Sequence, residues 1–335
     1  MNRFFLILSM LLLGCPFLNY GQDSSLIELI KQGIAFHDEG EYERAIEFYQ
    51  KALKIDPASS LANYELSLTY LSLEDYKKAE KYSKKVIKSN DEYVLHGYMN
   101  YGTALDMQGK AQKAIKAYEK GMQDNDHYLL SYNHALTCYN QGEMSKAKQS
   151  AIKAINNNPS HASSHLILSK IMEKSGERIK AMLPLYYFLL LEPNTDRAKV
   201  EYGTLNRLLN FGVQQTSEQN INISIPIREQ SEFSAAEMMI SLTAATNIQE
   251  KKEGKTPLEL FSANNDQIFK ILGELKKEQQ DFMWSFYVPF FHDLAKEDLT
   301  EIYSYYISLS IGEEIFQWID EHPDDFKKFE EWFSK

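Results

Sequence analysis

The chain has 335 residues and a formal net charge of −11, from 36 basic and 47 acidic side chains. The excess of acid lies in the part from Ser217 onward, which contains 11 basic and 23 acidic residues against 25 and 24 before it. A nucleic-acid partner would need a basic face, so this balance argues against one.

The first residues have the pattern of an export signal. Arg3 precedes a run from Phe4 to Leu13 that is apolar except for Ser9. Such a run is too short to span a bilayer as a mature helix and is typical of the apolar region of a signal peptide. We therefore predict a signal peptide over residues 1–21 and an exported protein, periplasmic or envelope-associated.

Two ways of processing this segment remain open. Residues 12–15 (LLGC) resemble a lipoprotein box, which would make Cys15 a lipidation candidate and the chain's only membrane anchor. Cleavage after Gly21 is favoured, because residues 16–18 are Pro-Phe-Leu where a lipoprotein usually has a polar tether. In both cases Cys138 is left without a disulfide partner, and we interpret it as a small buried apolar side chain.

A degenerate repeat follows, with a period of 33 to 35 residues. It repeats an alanine, a small residue, a turn glycine and a closing proline in one register. The alanines are Ala45, Ala79, Ala114, Ala147 and Ala181, the small residues are Gly33, Ser67, Gly102, Ala135 and Ser169, the turn glycines are Gly40, Gly109, Gly142 and Gly176, and the prolines are Pro57, Pro159 and Pro193. Small residues let two helices approach closely, glycine permits a turn of positive φ, and proline ends a helix.

Residues 26–194 therefore resemble the tetratricopeptide repeat family. The sequence departs from the family pattern at Glu74, which replaces a turn glycine, and at Asp91 and Asp126, which replace closing prolines. The resemblance implies an all-α fold, with a right-handed superhelix of about five helical hairpins and a capping helix. We predict this array over residues 22–210, a linker over 211–232, and an aromatic-rich acidic helical domain over 233–335.

The resemblance also implies a concave face lined by the first helix of each repeat, at the fifth, ninth and twelfth positions from Leu26, Ser60, Leu95, Tyr128 and Ala162. We call this set of positions the first-helix face. The partner-groove candidates on it are Ile30, Ile34, Tyr64, Leu68, Leu71, Met99, Tyr132, Leu136 and Tyr139, and its remaining members are His37, Thr103, Asp106, Leu166, Lys170 and Glu173. The candidates favour a protein or peptide partner with an apolar or amphipathic segment. Alternatively, such a stripe is core, or another part of the chain fills the groove.

The second helix of the fifth repeat is apolar on nearly every face between Ala181 and Pro193. A helix of this kind is buried on two sides, so we expect the C-terminal domain to cover it. Pro184 is expected to kink this helix or to reset its start.

The C-terminal part has clear helix starts and predicts four to six helices. The starts are the capping boxes Ser234–Glu237, Thr256–Glu259 and Asp298–Glu301, and Pro323 followed by Asp324 and Asp325. Residues 221–227 alternate and suggest a short extended segment. We interpret the abundant aromatic residues as core, and the alternative is a platform for a sugar ring or peptide near Trp284 or Trp318.

The sequence contains no phosphate-binding loop, no nucleophile elbow, no zinc-protease motif and no cysteine cluster. His161 and His165 could share a helix face as zinc ligands do, but no further ligand lies close in sequence. We therefore predict no catalytic residues, no cofactor and no metal site. The favoured function is an exported bacterial protein-interaction scaffold. The alternative is an envelope-anchored lipoprotein for ligand binding or nutrient uptake that uses its aromatic C-terminal domain.

Overall fold

The computed structural model describes residues 17–216, 220–224, 233–252, 254–275 and 281–334. Cys15 and most of the predicted signal peptide lie outside these residues, so both remain predictions. Among the described helices, none combines the length and the apolar character that crossing a membrane requires.

Eleven consecutive helices make up the described chain up to residue 209, and they confirm the predicted all-α hairpin array. They are α1 Phe17–Asp38, α2 Tyr42–Ile55, α3 Ser60–Ser72, α4 Tyr76–Ser89, α5 Val94–Met107, α6 Ala111–Asp124, α7 Tyr128–Asn140, α8 Met144–Asn157, α9 Ala162–Lys174, α10 Arg178–Leu191 and α11 Asp196–Leu209. The predicted repeat starts at Ser60, Tyr128 and Ala162 are confirmed. Helix α1 begins well before Leu26, because the repeat register fixes where two helices pair and not where the first one begins.

The chain divides into two compact units, one ending at Asn125 and the other beginning at Asp126. In the first unit, α1 pairs with α2, α3 with α4, and α5 with α6. In the second unit, α7 pairs with α8 and α9 with α10, and α11 follows as the predicted capping helix.

The turn inside each hairpin requires a left-handed backbone. Gly40, Gly109, Gly142 and Gly176 have φ between 72° and 79°. Glu74 occupies the same place in the second hairpin with a φ of 57°. The turn is therefore kept where glycine is missing, at the cost of holding a side chain in a conformation that favours glycine.

The small residue of each first helix sets how closely the two helices pack. A Cβ atom on Gly33 would lie 2.4 Å from the Tyr49 ring, and one on Gly102 would lie 2.2 Å from the Tyr118 ring. Both rings are almost completely buried. Glycine is therefore required in these two hairpins because the facing tyrosine occupies the space of its missing side chain.

Helix α10 runs without interruption from Arg178 to Leu191, with Pro184 inside it. The expected reset of the helix start at Pro184 is therefore wrong, while the alternative, a kink at Pro184, stays a prediction. Every residue from Arg178 to Leu190 except Lys180 is buried, so packing on both sides compensates for the hydrogen bond that proline cannot donate.

After α11, the described residues of the second unit form a short β-hairpin and six α-helices. Strands β1 Val213–Gln215 and β2 Ile221–Ile223 are antiparallel, with Val213 opposite Ile223. The helices are α12 Ser234–Lys252, α13 Pro257–Leu275, α14 Val288–Lys296, α15 Thr300–Tyr306, α16 Glu313–Glu321 and α17 Pro323–Phe333. A π-helical turn, Met283–Tyr287, leads into α14, and a 3-10 turn, Leu309–Ile311, precedes α16.

The predicted helix starts in this part are mostly confirmed. The Thr256 hydroxyl accepts the Glu259 amide, and the Glu259 carboxylate accepts the Thr256 amide at 2.7 Å, which is a complete capping box. The capping box predicted at Asp298 is wrong. Asp298 has a φ of 55°, and α15 is preceded by Leu299, which provides no capping side chain.

Candidate partner-binding surface

The first-helix face of the first unit keeps five of its six candidates at partly exposed positions. Ile34, Leu68 and Met99 are half-buried, as are Tyr64 and Leu71. Ile30 is 2% exposed and packs within the core formed by α1 to α5, so its assignment to the groove is corrected to core. The second helix of a hairpin buries part of the first one, and counting the fifth, ninth and twelfth positions of each repeat does not take this burial into account.

Tyr64 is the centre of an aromatic group between α3 and α5. Its ring stacks on Tyr93 with centroids 6.1 Å apart and meets the edge of His96 at 5.1 Å. Desolvation raises the pKa of the Tyr64 hydroxyl, so this phenol stays neutral over the physiological range. The group therefore offers a contact surface of packed aromatic rings.

A buried carboxyl group lies next to this group and was missed by sequence reasoning. Glu65 is 8% exposed, and burial together with the charge of Asp38 raises its pKa to about 7. The sequence carries little signal for it, because a glutamate in a helix is ordinarily solvated.

Other polar side chains are also buried in this part of α3 and α5. Asn100 donates to the Ser67 hydroxyl at 2.8 Å and so connects the two helices. The Asn63 amide donates to Ser59 O, while within the described residues its side-chain oxygen is buried without a partner.

One hydrogen-bond chain fixes the orientation of His37 on the same face. The Thr69 hydroxyl donates to Glu65 O at 2.8 Å, so it accepts from His37 Nδ1, also at 2.8 Å. This arrangement requires a hydrogen on Nδ1, and burial lowers the pKa of His37, which favours the neutral ring. His37 is therefore held in place by α3 and is not free to rotate toward a ligand.

In the second unit, Tyr132, Leu136 and Tyr139 lie half-buried along α7. The Tyr132 ring meets the His161 ring edge-on at 5.0 Å. Lys174 lies over the Tyr139 ring at 4.7 Å. Contacts from α9 and the residue before it therefore hold both tyrosines in place and leave part of each ring exposed.

The charged side chains that the fifth repeat contributes to the first-helix face form ion pairs with the capping helix α11. Lys170 forms an ion pair with Glu201 at 2.7 Å, and Glu173 pairs with Arg207. Leu166 is 8% exposed. Helix α11 therefore neutralises this end of the first-helix face, and the apolar part that remains accessible in this unit is on α7.

His161 and His165 do not act together as metal ligands would. His161 Nδ1 is hydrogen-bonded to the Ser164 hydroxyl at 2.7 Å. His165 Nε2 donates to Pro159 O at 2.8 Å, so its Nδ1 accepts the Tyr287 hydroxyl at 2.7 Å. Both ring nitrogens of His165 are thus engaged, and burial lowers its pKa to about 4.

The C-terminal helices cover the fifth repeat, as predicted. The Tyr186 hydroxyl on α10 donates to Asn265 on α13 at 2.5 Å, and the Tyr303 hydroxyl on α15 donates to Tyr186 O at 3.0 Å. All of these groups are buried. Helix α10 is therefore joined to the C-terminal helices by satisfied polar contacts within an apolar core.

The interpretation of the aromatic residues as core is confirmed for the largest of them. Trp284, Tyr287, Phe291 and Tyr303 are fully buried. The Trp284 ring stacks on Phe233 with centroids 4.5 Å apart, which leaves no face for a ligand. Trp318 lies between Tyr305 at 3.5 Å and His322 at 3.9 Å, so both of its faces are covered too.

Comparison with known proteins finds matches in the repeats. A family model described as TPR repeat matches residues 33–73, and one described as Tetratricopeptide repeat matches residues 61–93. The chain is 32% identical over 80 residues to the Small glutamine-rich tetratricopeptide repeat-containing protein 2 of Saccharomyces cerevisiae, covering 24% of this chain and 23% of that protein. It is 24% identical over 181 residues to the Protein O-mannosyl-transferase TMTC1 of Homo sapiens, covering 52% and 20%.

The chain therefore spans about a fifth of the length of these curated relatives. Among solved structures, Pseudomonas aeruginosa pilF is 23% identical with a TM-score of 0.49, and the match covers 56% of this chain and 90% of that one.

Proposed function

We propose that this chain, whose N-terminal helices are tetratricopeptide repeats, is a non-catalytic scaffold that binds an apolar or amphipathic segment of a protein partner. Tetratricopeptide repeat proteins bind protein or peptide partners, so a role in protein interaction follows from the repeats. The finer proposal is that the partner lies along the first-helix face. It rests on the half-buried apolar and aromatic side chains that remain there.

The observation that carries this proposal is the state of Tyr132 and Tyr139 on α7. Each ring is part-exposed and is already held by a neighbour, His161 or Lys174. A side chain that is fixed before binding loses little conformational entropy when a partner arrives. Large rings with this property are typical binding anchors.

The proposal includes export, which rests on the apolar run from Phe4 to Leu13. Intact-mass measurement of the protein isolated from the cell envelope tests it. A mature chain that begins at Gln22 is expected. A diacylated Cys15 would support the lipoprotein alternative, and a chain that begins at Met1 would contradict both.

The proposed groove is tested with the double variant Tyr132→Ala/Tyr139→Ala. Affinity purification from native envelopes followed by quantitative mass spectrometry should recover at least about tenfold less of any reproducible partner than the wild-type chain does, since two anchors are lost. The matched control is Tyr42→Ala/Tyr76→Ala, which removes two half-buried tyrosines from second helices.

Circular dichroism and thermal unfolding must show that both double variants keep their fold. Equal recovery of the partner by the wild type and by Tyr132→Ala/Tyr139→Ala would contradict the location of the groove. Failure of the wild-type chain to recover any reproducible protein would contradict the scaffold function itself.

A further inference from the structure

The second helices of the second and third repeats carry a strongly basic surface that the first-helix face does not include. Helix α4 contains six lysines and a single acid, Glu80, while α6 contains three lysines and two acids, Glu119 and Asp124. On α4 the lysines recur at three- and four-residue spacings, where like charges repel each other. A surface of this kind gains stability when an anionic partner covers it.

The only acid of α4 is already neutralised by neighbouring side chains. Glu80 is paired with Lys84 at 2.6 Å and with Lys110 at 3.0 Å, and it accepts a hydrogen bond from Gln108 at 3.0 Å. These contacts outweigh desolvation and lower its pKa to about 2. Glu80 is therefore unavailable to the other lysines of α4.

Other lysines of α4 rest on aromatic rings. Lys81 and Lys85 lie over the Tyr82 ring at 5.4 and 5.1 Å. In the part of the chain that the structure describes, neither of them forms an ion pair. Their charges remain open to an external partner.

These helices frame a groove with an apolar floor. It has a volume of about 550 Å³ and lies between α4, α5 and α6. The floor includes Ile87, Tyr98 and Ala117, and the rim consists of Lys84, Lys88, Lys113, Lys116 and Lys120. We call this the basic groove. Its chemistry fits an acidic helical surface that carries exposed apolar side chains.

The described C-terminal helices of the same chain have that complementary chemistry. Residues 313–334, which form α16 and α17, contain eight acidic and two basic residues. Phe316 and Phe333 are 43% and 41% exposed on these helices. Acidic side chains and exposed aromatic rings therefore occur together on one pair of helices.

We propose that the basic groove of one molecule binds the acidic surface of α16 and α17 of a second copy of this chain. The contact joins two different surfaces, so it is heterologous, and each molecule keeps one free surface of each kind. Association therefore continues beyond a dimer, into a ring or an open chain. The first-helix face takes no part, so this inference does not depend on the proposed function.

The test is sedimentation velocity of the full chain at low ionic strength and at roughly 0.5 M salt, where exposed charges are largely screened. The wild type should show a mass that rises with protein concentration at low salt and returns to the monomer at high salt. The variant Lys88→Glu/Lys116→Glu/Lys120→Glu and the variant Glu321→Lys/Glu330→Lys/Glu331→Lys should each remain monomeric.

An equimolar mixture of these two triple variants should associate again. The lysine variant keeps the acidic surface of α16 and α17, and the glutamate variant keeps the basic groove that binds it. The control Lys31→Glu/Lys54→Glu/Lys199→Glu changes the net charge by the same amount as the lysine variant, on exposed residues outside both surfaces, and should associate like the wild type. Circular dichroism verifies the fold of every variant.

A wild-type chain that stays monomeric at low salt would overturn the proposal, and so would association that persists in the lysine variant. Binding of the wild-type monomer to phosphatidylglycerol vesicles, lost in the lysine variant, would assign the basic groove to an anionic lipid surface and would also overturn it.

Discussion

Glu74 shows how a single residue can depart from a repeat pattern without changing the turn. Its φ of 57° lies in the region where a side chain is crowded by the following carbonyl, while the equivalent residues in four other hairpins are glycines. The glycines predict this turn from the sequence, and Glu74 is the position at which the repeat pattern lacks one. The backbone is set by the two helices on either side, so the residue adapts to it.

We expect Glu74→Gly to stabilise the chain by on the order of 1 kcal/mol, because removing the Cβ crowding outweighs the added freedom of the unfolded backbone. Differential scanning calorimetry should show a higher unfolding temperature. The reverse change in the next repeat, Gly109→Glu, should lower it. A destabilised Glu74→Gly would mean that the glutamate side chain makes a contribution larger than its backbone cost.

Glu65 should make the stability of the first unit depend on pH. Its pKa is raised to about 7 from an ordinary value of 4.5, so the folded chain binds more protons than the unfolded chain between these values. The contribution of Glu65 to the free energy of unfolding is therefore largest below about pH 4.5 and is lost as the pH rises through 7. Glu65→Gln should be more stable than the wild type at pH 8 by on the order of 3 kcal/mol, and similar to it near pH 4.

The measurement is urea unfolding followed by circular dichroism at several pH values, together with carbon NMR titration of the Glu65 carboxyl. A titration midpoint near 4.5 would contradict the burial argument. Glu39, which is exposed in the turn between α1 and α2 of the same unit, provides the matched control variant Glu39→Gln.

At the scale of elements, hairpin packing depends on the residue pair that faces across the two helices. Gly33 and Gly102 each oppose a tyrosine sixteen residues later, Tyr49 or Tyr118. Ser67, at the same position in the second repeat, has Ser83 sixteen residues later. Large rings thus occur where the first helix has glycine, which keeps the filled volume similar.

Gly102→Ala should destabilise the chain by about 1–3 kcal/mol, because the new methyl group overlaps the buried Tyr118 ring. Gly203→Ala is the matched control: Gly203 is also inside a helix, but nothing lies within 4 Å of the added Cβ, so alanine should stabilise by roughly 0.5–1 kcal/mol. Adding Tyr118→Leu to Gly102→Ala should recover part of the loss. Equal effects of the two glycine variants in thermal unfolding would contradict the packing argument.

The repeats could be predicted from the sequence because their signal is local. A small residue, a turn glycine and a closing proline each act on the hairpin that contains them. The β-hairpin was only partly predicted, since the alternation of residues 221–227 indicates an extended segment but Val213–Gln215 has no pattern of its own. The same limit explains Asp298, where a capping pattern was outweighed by the left-handed turn between α14 and α15.

The site could be predicted as a set of positions but not as a surface. Ile30 satisfied the positional rule and is core, and Lys170 and Glu173 satisfied it and are paired with α11. Glu65 was not considered because its burial is produced by neighbouring helices and not by its own sequence. Contacts between elements that are distant in sequence decided each of these outcomes.

At the scale of the whole chain, the three tryptophans provide a selective probe. Trp284, Trp318 and Trp332 all lie in the unit that begins at Asp126. Tryptophan fluorescence therefore follows the unfolding of that unit and has no contribution from the first one. This matters because repeat arrays do not always unfold in a single step.

His165 joins the fifth repeat to the π-helical turn before α14, and this junction should weaken in acid. Its ring is buried, its Nδ1 accepts the Tyr287 hydroxyl, and its pKa is lowered to about 4 from 6.5. The unfolded chain then binds more protons between these values, so the contribution of His165 is complete above pH 6.5 and falls as the pH decreases, by on the order of 3 kcal/mol at pH 4. Urea unfolding followed by tryptophan fluorescence should show this loss in the wild type and a smaller one in His165→Phe.

The control Tyr287→Phe keeps the titrating ring and removes its partner, so it should be less stable by about 1–3 kcal/mol at neutral pH and should still lose stability in acid. An identical pH dependence in the wild type and in His165→Phe would show that other groups are responsible, of which the half-buried His161 is the nearest.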